Sequence, residues 1–385
     1  MGDSSDRQWL HNGRLFDGEQ VHEGAALLIG EGQVLEVGGA TSKPANAEAV
    51  DLKGHLVAPG FVDIQVNGGG GVLFNDNPSI GTLQQMAAVH RKFGTTSFLP
   101  TLISDTAAVI ESGIKAVSSA IEKGMTEIAG IHIEGPHLDP EYCGVHDAEK
   151  IRPLDKDAFE LLTAMQRGIT LVTLAPERVA PDTLARLSDS GVIVFAGHSG
   201  ASYEETAAAL ASGLRGFTHL FNAMSPLTSR APGMVGAALE STGSYAGLIA
   251  DGYHVHPATL RLAVRSKGEQ RILLVTDAMP SVGADNKQFT LYGEDIRAEG
   301  GRCLTADGRL AGSDIGMIEA VRNMVSFGCA DIYTALRMAS LNPASAIGLD
   351  SQLGRIGAGK RADLIELDAD LNIVRTWVAG QMKEH

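Results

Sequence analysis

Short apolar segments alternate with longer amphipathic segments between residue 61 and residue 277. The short segments have few polar residues in their interiors, which is typical of strands covered on both faces in a parallel sheet. They lie at residues 61–67, 95–101, 129–134, 170–177, 192–198, 216–222, 246–252 and 272–277. This alternation predicts an α/β fold, a (β/α)8 TIM-type barrel. An open doubly wound sheet is the alternative, although no G-x-G-x-x-G motif follows the first strand.

The segments between these strands have the caps and the spacing of helices. Ser79 can cap a helix that places Leu83 and Met86 on one side and closes at Gly94. Similar segments lie at residues 106–124, 182–189, 202–212 and 257–267, whereas the pattern of residues 226–240 is unclear. After the eighth strand, the sequence predicts a hairpin insertion at residues 288–312 and helical stretches at 313–327, 331–340 and 343–347.

Both ends of the chain have β character. A hairpin is predicted around Asn12-Gly13, and a second around residues 30–32, where two apolar runs flank glycines. The tail has further strand candidates at residues 364–367 and 373–378. We therefore expect residues 1–60 and 355–385 to form one small β-sandwich domain beside a barrel of residues 61–354.

Charge and composition narrow the class of protein. The 385 residues include 31 Lys and Arg against 46 Asp and Glu, a net charge of −15, which disfavours a nucleic-acid partner. No apolar run approaches the ~18 residues of a membrane span, and the first residues do not resemble a signal peptide. Three scattered cysteines favour a reducing compartment. We expect a cytoplasmic enzyme with a small-molecule substrate and without a nucleic-acid or membrane partner.

Seven of the eight predicted strands end in residues that can bind a metal, donate hydrogen bonds or titrate. They are Gln65 and Asn67, Thr101, Glu134, Glu177, His198, His219 and Asp277. The remaining strand runs into Asp251 and His254. Barrel enzymes build their sites where the strands end, so these side chains predict an active site at that rim.

His198 and His219 close consecutive strands, which lie about 5 Å apart in a parallel sheet. With Glu134 they make a two-histidine, one-carboxylate set that leaves a position for water, as in a catalytic zinc site. Asp277 follows four apolar residues and is the candidate general base and then general acid. The competing interpretation of each residue is structural, as a helix cap, a loop carboxylate or a buried histidine.

The predicted rim loops contain His146, Asn222, Arg230 and His254. Each alone could be an ordinary surface residue. Together they suit a polyhydroxylated, anionic small molecule, with the arginine on a phosphate. The glycine run at residues 68–71 could also bring backbone N–H groups to a substrate.

Six motifs in order along the chain give a resemblance to a known family. They are residues 59–68 (PGFVDIQVNG), 132–136 (HIEGP), 197–199 (GHS), 218–224 (THLFNAM), 251–254 (DGYH) and 275–278 (VTDA). The chain resembles the N-acetylglucosamine-6-phosphate deacetylase family of the amidohydrolase superfamily from about residue 10 to residue 379. The resemblance implies hydrolysis of the N-acetyl group to glucosamine 6-phosphate and acetate. It also implies a barrel with a small β domain from both termini, and a homodimer.

The resemblance assigns roles to residues of this chain. Glu134, His198 and His219 would bind the metal, Asp277 would be the acid and base, and His146 would polarise the acetyl carbonyl. Asn222 and Ala223 would contact the sugar, and Leu310 would line the acetyl pocket. Arg230 and His254 would hold the phosphate from the neighbouring subunit. The predicted substrate-binding residues are Gln65, Val145, His146, Asn222, Ala223, Arg230, Asp251, His254, Leu310, Ala311 and Gly312.

One departure from the superfamily concerns the metal. Many amidohydrolases have His-x-His on the first strand and bind two ions, whereas this chain has Gln65-Val66-Asn67. A neutral amide is a poor zinc ligand compared with imidazole. We therefore expect one divalent ion per subunit, with Zn²⁺ favoured over Fe²⁺, Co²⁺ or Mn²⁺, and a second, weak site near Gln65 stays open.

Other functions remain open at this point. N-Acetylgalactosamine 6-phosphate would need the same metal and the same phosphate contacts, and the sequence does not fix the C4 epimer. A cyclic-amide hydrolase of the dihydroorotase type is disfavoured by the missing first-strand histidines. A non-catalytic sugar-phosphate-binding barrel would have no use for the Glu134, His198, His219 and Asp277 set.

Overall fold

Eight parallel strands in chain order form the central sheet of the structure, a computed structural model that describes residues 7–38 and 43–385. The strands are β1 (Phe61–Val66), β2 (Thr95–Ile103), β3 (Gly130–Glu134), β4 (Ile169–Leu174), β5 (Ile193–Ala196), β6 (Gly216–Phe217), β7 (Tyr245–Leu248) and β8 (Ile272–Leu274). A bridge between Val66 and Ala278 joins the segment after β8 to β1. The predicted barrel is confirmed.

Helices connect and follow the strands. They are α1 (Ile80–His90), α2 (Ala107–Glu122), α3 (Lys156–Leu162), α4 (Pro181–Asp189), α5 (Tyr203–Ala211), α6 (Gly233–Glu240), α7 (Pro257–Lys267), α8 (Met317–Ser326), α9 (Ile332–Ala339) and α10 (Leu341–Ala346). Ser79, Thr106 and Ser202 cap α1, α2 and α5 through their side chains, as the sequence predicts. No helix in the described part of the chain is long and apolar enough to cross a membrane.

Three local predictions need correction. Helix α3 was missed because it buries only Leu162 and so has little apolar periodicity. Strand β6 ends at Phe217 instead of continuing to residue 222, since His219, Phe221 and Ala223 have φ values of 30°, 82° and 49° that turn the chain. Strand β4 ends at Leu174, so Glu177 lies in a 3₁₀ turn and not on the strand.

The two ends of the chain share one six-stranded sheet. Its order is Gln381–Glu384, Ile373–Val378, Leu364–Leu367, Leu56–Pro59, Arg14–Phe16 and Val21–Glu23. A four-stranded sheet has the order Gln33–Gly38, Ala26–Gly30, Gln8–His11 and Glu48–Asp51. Leu10, Ile29, Leu364 and Trp377 from both sheets belong to one buried cluster. A small β domain from both termini is confirmed, and its boundaries at residues 60 and 355 stay a prediction.

The predicted hairpin around Asn12-Gly13 is wrong, whereas the one around residues 30–32 is confirmed. Gln8–His11 and Arg14–Phe16 lie in different sheets, and neither pairs with the other. Asn12 has a φ of 59°, so the chain passes from one layer of the sandwich to the other at this point. Ala26–Gly30 and Gln33–Gly38 pair with each other antiparallel.

The insertion after β8 is a four-stranded antiparallel sheet rather than one hairpin. Its strands are Gln288–Leu291, Glu294–Glu299, Arg302–Leu304 and Leu310–Ser313. The Tyr292 hydroxyl donates to the carbonyl of Ser104 at 2.5 Å, and the Arg309 guanidinium donates to the carbonyl of Gly144 at 3.3 Å. These contacts hold the insertion against the loops that follow β2 and β3.

Candidate active site

Glu134, His198 and His219 meet at the ends of β3, β5 and β6, and all three are buried. Glu134 Oε1 is 2.9 Å from His219 Nε2 and 3.3 Å from His198 Nε2. The two Nε2 atoms are 3.0 Å apart. The structure therefore brings together the three residues that the sequence predicts as metal ligands.

The hydrogen bonds of this cluster fit a metal site. His198 Nδ1 lies 2.9 Å from the carbonyl oxygen of Tyr142, which can only accept, so the proton is on Nδ1 and the lone pair of Nε2 faces the cluster. Such a partner on the far nitrogen is the usual support of a metal-ligating histidine. His219 Nδ1 is buried and has no partner in the described part of the chain. No hydrogen bond at Nδ1 therefore fixes the tautomer, and Nε2 can either donate a proton or offer its lone pair. A carboxylate and two imidazoles are ordinary zinc ligands.

Electrostatics within the cluster favour charge separation. Burial alone would raise the pKa of Glu134, but its contacts with the imidazoles of His198 and His219 outweigh burial and hold this pKa well below its usual range. Burial works in the opposite direction on His219, and the hydrogen bond to Glu134 leaves its pKa raised. Glu134 is therefore an anion at neutral pH, as a metal ligand must be.

The backbone is strained at three of the key positions. His198, His219 and Asp277 have φ values of 50°, 30° and 51°, in the left-handed region that non-glycine residues seldom adopt. Strained backbone often occurs at functional sites, where the surrounding structure holds it in place. Here the turn at each strand end directs a polar side chain across the top of the barrel.

Asp277 is held by two amide side chains from the segment that ends β1. Asn67 Nδ2 donates to Asp277 Oδ1 at 2.6 Å, and Gln65 Nε2 lies 3.3 Å from the same oxygen. Gln65 Nε2 is also 3.2 Å from both carboxylate oxygens of Glu134. Burial, followed by the charge of Glu134, raises the pKa of Asp277 to about 6. Such a carboxyl group can both accept and return a proton near neutral pH.

His146 is a neutral hydrogen-bond donor in this site. The backbone N–H of Ser104 donates to His146 Nδ1 at 3.2 Å, so Nδ1 bears the lone pair and Nε2 bears the proton. Burial, followed by the neighbouring imidazole of His198, lowers the pKa of His146 to about 3. Its ring centroid is 4.4 Å from that of His198, next to the metal-binding cluster.

These groups open onto one cavity of about 180 Å³. Its walls contain most of the residues predicted to bind substrate, namely Val145, His146, Asn222, Ala223, His254, Leu310, Ala311 and Gly312. Gly312 has a φ of 70°, and a Cβ there would lie 2.5 Å from Met279 Cγ, so only glycine lets the insertion pack this closely beside Asp277.

Four predicted substrate-binding residues differ from expectation. Gln65 contacts the two carboxylates and does not line the cavity. Asp251 lies behind His254, because its Oδ2 is 2.6 Å from His254 Nδ1 and its Oδ1 accepts two backbone N–H groups. His254 lines the cavity of its own chain, so it needs no neighbouring subunit to reach the site, which differs from the expectation. Arg230 is exposed, does not line this cavity and forms no ion pair within the described residues.

Sequence reasoning also missed or misassigned parts of the site. The cavity includes Asn67, which the sequence places at the rim without a specific role, and the apolar side chains Ile103, Ile249, Met279 and Leu291, which no motif marks. The glycine run does not present N–H groups to a substrate, since those of Gly68, Gly70 and Gly71 donate to carbonyls of residues 278–282. Glu177 accepts from Ser199 and Gly200 outside the cavity.

The fold and the site together define a metal-dependent hydrolase of the amidohydrolase type. Residues 56–383 match the amidohydrolase family, and the chain belongs to it. This superfamily depends on metal ions, and Glu134, His198 and His219 form a group that can bind one.

Individual relatives are similar over most of the chain. N-Acetylgalactosamine-6-phosphate deacetylase from Shewanella sp. (strain ANA-3) is 44% identical over 329 residues, which are 86% of this chain and 83% of that protein. N-Acetylglucosamine-6-phosphate deacetylase from Haemophilus influenzae is 38% identical over 341 residues, 88% of this chain and 89% of that protein. The crystal structure of N-acetylglucosamine-6-phosphate deacetylase from Pasteurella multocida superposes with a TM-score of 0.95 at 36% identity, covering 98% of this chain and 100% of that one.

Proposed function

We propose that the protein hydrolyses the N-acetyl group of N-acetyl-D-glucosamine 6-phosphate to give D-glucosamine 6-phosphate and acetate. The observation that carries this proposal is the meeting of Glu134, His198 and His219 beside Asp277 in one cavity. Relatives with 32–44% identity are named as deacetylases of amino-sugar 6-phosphates, and the sequence similarity covers most of their length. A pure binding protein would have no need of a raised carboxyl pKa next to a ligand cluster.

The proposed cofactor is one divalent ion per chain, Zn²⁺ in preference to Fe²⁺, Co²⁺ or Mn²⁺. Glu134, His198 and His219 would hold it, and when bound it supplies Lewis acidity toward the acetyl carbonyl and lowers the pKa of water beside it. The position of the Gln65 side chain favours one bound ion over two. Its Nε2 hydrogens point at the carboxylates of Glu134 and Asp277, so an amide donor faces the oxygens that a second ion would need.

The side chains of this protein supply the proton transfers. Asp277 takes a proton from the attacking water, and the new C–O bond forms at the acetyl carbon. His146 Nε2–H donates to the carbonyl oxygen as negative charge develops on it, a contribution worth about 10²–10³ in rate for a typical donor. Asp277 then returns the proton to the sugar nitrogen, and the C–N bond breaks. The raised pKa of Asp277 makes it competent in both directions.

The rest of the substrate would follow the cavity walls. Asn222 and Ala223 are proposed to contact the sugar, and Leu310 to contact the acetyl methyl group. His254 is proposed to reach the phosphate from within the chain. Arg230 lies on an exposed loop and would complete the phosphate site in a neighbouring subunit, so the proposal includes a homodimer. The cytoplasmic location also stays a prediction.

N-Acetyl-D-galactosamine 6-phosphate is the second candidate substrate. It is favoured by the Shewanella relative, which bears that name at 44% identity. The test is release of acetate from each epimer by the metal-loaded protein, with the unphosphorylated sugars as controls. We expect the gluco epimer to have the larger kcat/KM. A larger value for the galacto epimer would reverse the assignment, and no acetate from either would contradict the proposed function.

A further inference from the structure

Asn67 has an unusual position in the site. It directly follows β1, its side chain is 1% exposed, and it lines the catalytic cavity. Its backbone is fixed, because its N–H donates to Ala278 O at 3.0 Å and its carbonyl accepts from Phe74 N–H at 2.9 Å. Its Nδ2 donates to Asp277 Oδ1, whereas its Oδ1 is buried and has no partner in the described part of the chain. A buried acceptor without a partner beside a cavity indicates that a ligand supplies the donor.

We propose that Asn67 is a positioning residue for Asp277 and that its Oδ1 accepts the acetamide N–H of the substrate. The inference rests on the proposed function, since it needs an N-acetyl group in this cavity. It assigns separate tasks to the two ends of one amide. The NH₂ end fixes the catalytic carboxylate, and the oxygen end fixes the nitrogen to which that carboxylate must deliver a proton.

The two carboxylate oxygens of Asp277 have unequal surroundings. Oδ1 receives Asn67 Nδ2 at 2.6 Å and Gln65 Nε2 at 3.3 Å. Within residues 7–38 and 43–385, no hydrogen bond reaches Oδ2. Because Oδ1 is occupied by two donors, proton transfer falls to Oδ2. The amides also prevent rotation of the carboxylate, so Oδ2 keeps one direction throughout the reaction.

The acetamide group of the substrate needs a partner for its donor as well as for its acceptor. An acetamide offers one carbonyl oxygen and one N–H. The oxygen would face the donor His146 Nε2–H and the cluster of Glu134, His198 and His219. The N–H then needs an acceptor close to Asp277, and the free Oδ1 of Asn67 is a neutral one. With the N–H held there, the nitrogen lone pair that develops as the acetyl carbon becomes tetrahedral can face Asp277 Oδ2. The proton taken from water moves from Oδ2 to that lone pair, and the C–N bond breaks to give amine and acetate.

Two variants of Asn67 test the inference, with Asn342→Ala as the matched control. Asn342 is another buried amide, but it donates to Glu269 O and Ile272 O at the start of β8, away from the cavity. We expect Asn67→Ala to lower kcat about 10²-fold, the usual size for one lost donor in a catalytic site, with metal content unchanged. Asn67→Asp keeps the shape but places a second carboxylate against Asp277, so it should be less active than Asn67→Ala. Asn342→Ala should lower the unfolding temperature and keep kcat and KM.

A pH profile separates positioning from a general structural effect. The groups that act on Asp277 are Glu134, His219 and His254, besides the amide of Asn67. Loss of the Asn67 donor destabilises the ionised form of Asp277, so the acid limb of kcat/KM should move to higher pH in Asn67→Ala and stay in place in Asn342→Ala. Wild-type kcat in Asn67→Ala, or an Asn67→Asp variant more active than Asn67→Ala, would overturn the inference. An inactive wild-type protein would instead contradict the proposed function.

Discussion

The two ends of the candidate cavity are built differently. At the reaction end, Glu134, His198, His219 and Asp277 are buried side chains fixed at strand ends, and polar contacts of 2.6–3.3 Å connect the group to its neighbours. At the proposed phosphate end, the chain itself supplies His254, while Arg230 lies exposed on the loop between β6 and α6. The proposed chemistry thus needs the residues of only one chain, whereas the proposed phosphate site needs Arg230 from a second chain.

The difference has a physical cause. Strand ends in a closed barrel are constrained on both sides, so they can hold strained residues such as His198 and Asp277 at positive φ. Loops between strand and helix have fewer constraints and can extend outward to a second chain. Activity should therefore depend at the reaction end on the charge of the side chains and on the bound metal. At the phosphate end it should depend on the assembly of subunits.

Removal of the metal should have the largest effect. Without a cation, Glu134, His198 and His219 satisfy one another through hydrogen bonds, and activity should fall to background. Metal quantitation after extensive dialysis should give one equivalent per chain, and one equivalent of added Zn²⁺ should restore the chelated protein. Two equivalents that survive dialysis would contradict the single site.

Asp277→Asn should lower turnover about 10³- to 10⁴-fold, because the carboxamide keeps the shape but cannot accept a proton from water. The metal ligands are separate residues, so metal content and the unfolding temperature should stay near wild type. Turnover is measured by acetate release at saturating substrate. A variant that keeps more than about a tenth of wild-type turnover would exclude Asp277 as the general base.

The sequence was sufficient for the reaction end but not for its details. Eight apolar strands in a parallel barrel bring their ends to one rim, so Glu134, His198 and His219 could be placed together from the pattern alone. The contact between Asn67 and Asp277 joins residues 210 positions apart, and no periodicity encodes it. The same holds for Ser104 and His146, whose hydrogen bond decides which nitrogen bears the proton. Such details depend on tertiary contacts between loops.

Arg230→Ala tests the incomplete phosphate end. A guanidinium binds phosphate with two parallel hydrogen bonds, so kcat/KM for the 6-phosphate should fall about 10²-fold, given roughly 1.5–3 kcal/mol for each charged bond. The poor rate on the unphosphorylated sugar should hardly change. Arg167→Ala, another exposed arginine just before β4 at the opposite end of the barrel, is the control and should be silent. Equal losses on both substrates would indicate a folding or assembly defect.

Mixed dimers test whether a second chain completes the phosphate end. If the partner lends Arg230, a dimer of one Arg230→Ala chain and one Asp277→Asn chain has one site with an intact Asp277 and an intact arginine from across the interface. Co-refolded mixtures should then regain activity relative to either variant alone. Mixtures without any recovery would place the complete phosphate site within a single chain.

The acid limb of the pH profile tests the reaction end without a substitution. Asp277 acts as a base only when ionised, and its pKa is raised to about 6 by burial and by the charge of Glu134. Activity should therefore fall about tenfold per pH unit once the pH drops below this pKa, and a bound cation moves the midpoint to or below 6. The profile of kcat/KM, measured with excess metal, checks this. A midpoint above pH 7 would show that another group controls the limb.

Asp251→Asn should have the smallest effect, and this effect should be confined to the phosphate end. Asp251 Oδ2 accepts from His254 Nδ1 at 2.6 Å, and its Oδ1 accepts from the backbone N–H groups of Tyr253 and His254 at 2.8 Å. Asparagine can keep the backbone contacts but replaces a charge-assisted bond to the imidazole by a neutral one. A loss of about 1 kcal/mol corresponds to a roughly fivefold higher KM for the 6-phosphate, with kcat unchanged. A fall in kcat with unchanged KM would instead connect the Asp251–His254 pair to the reaction end.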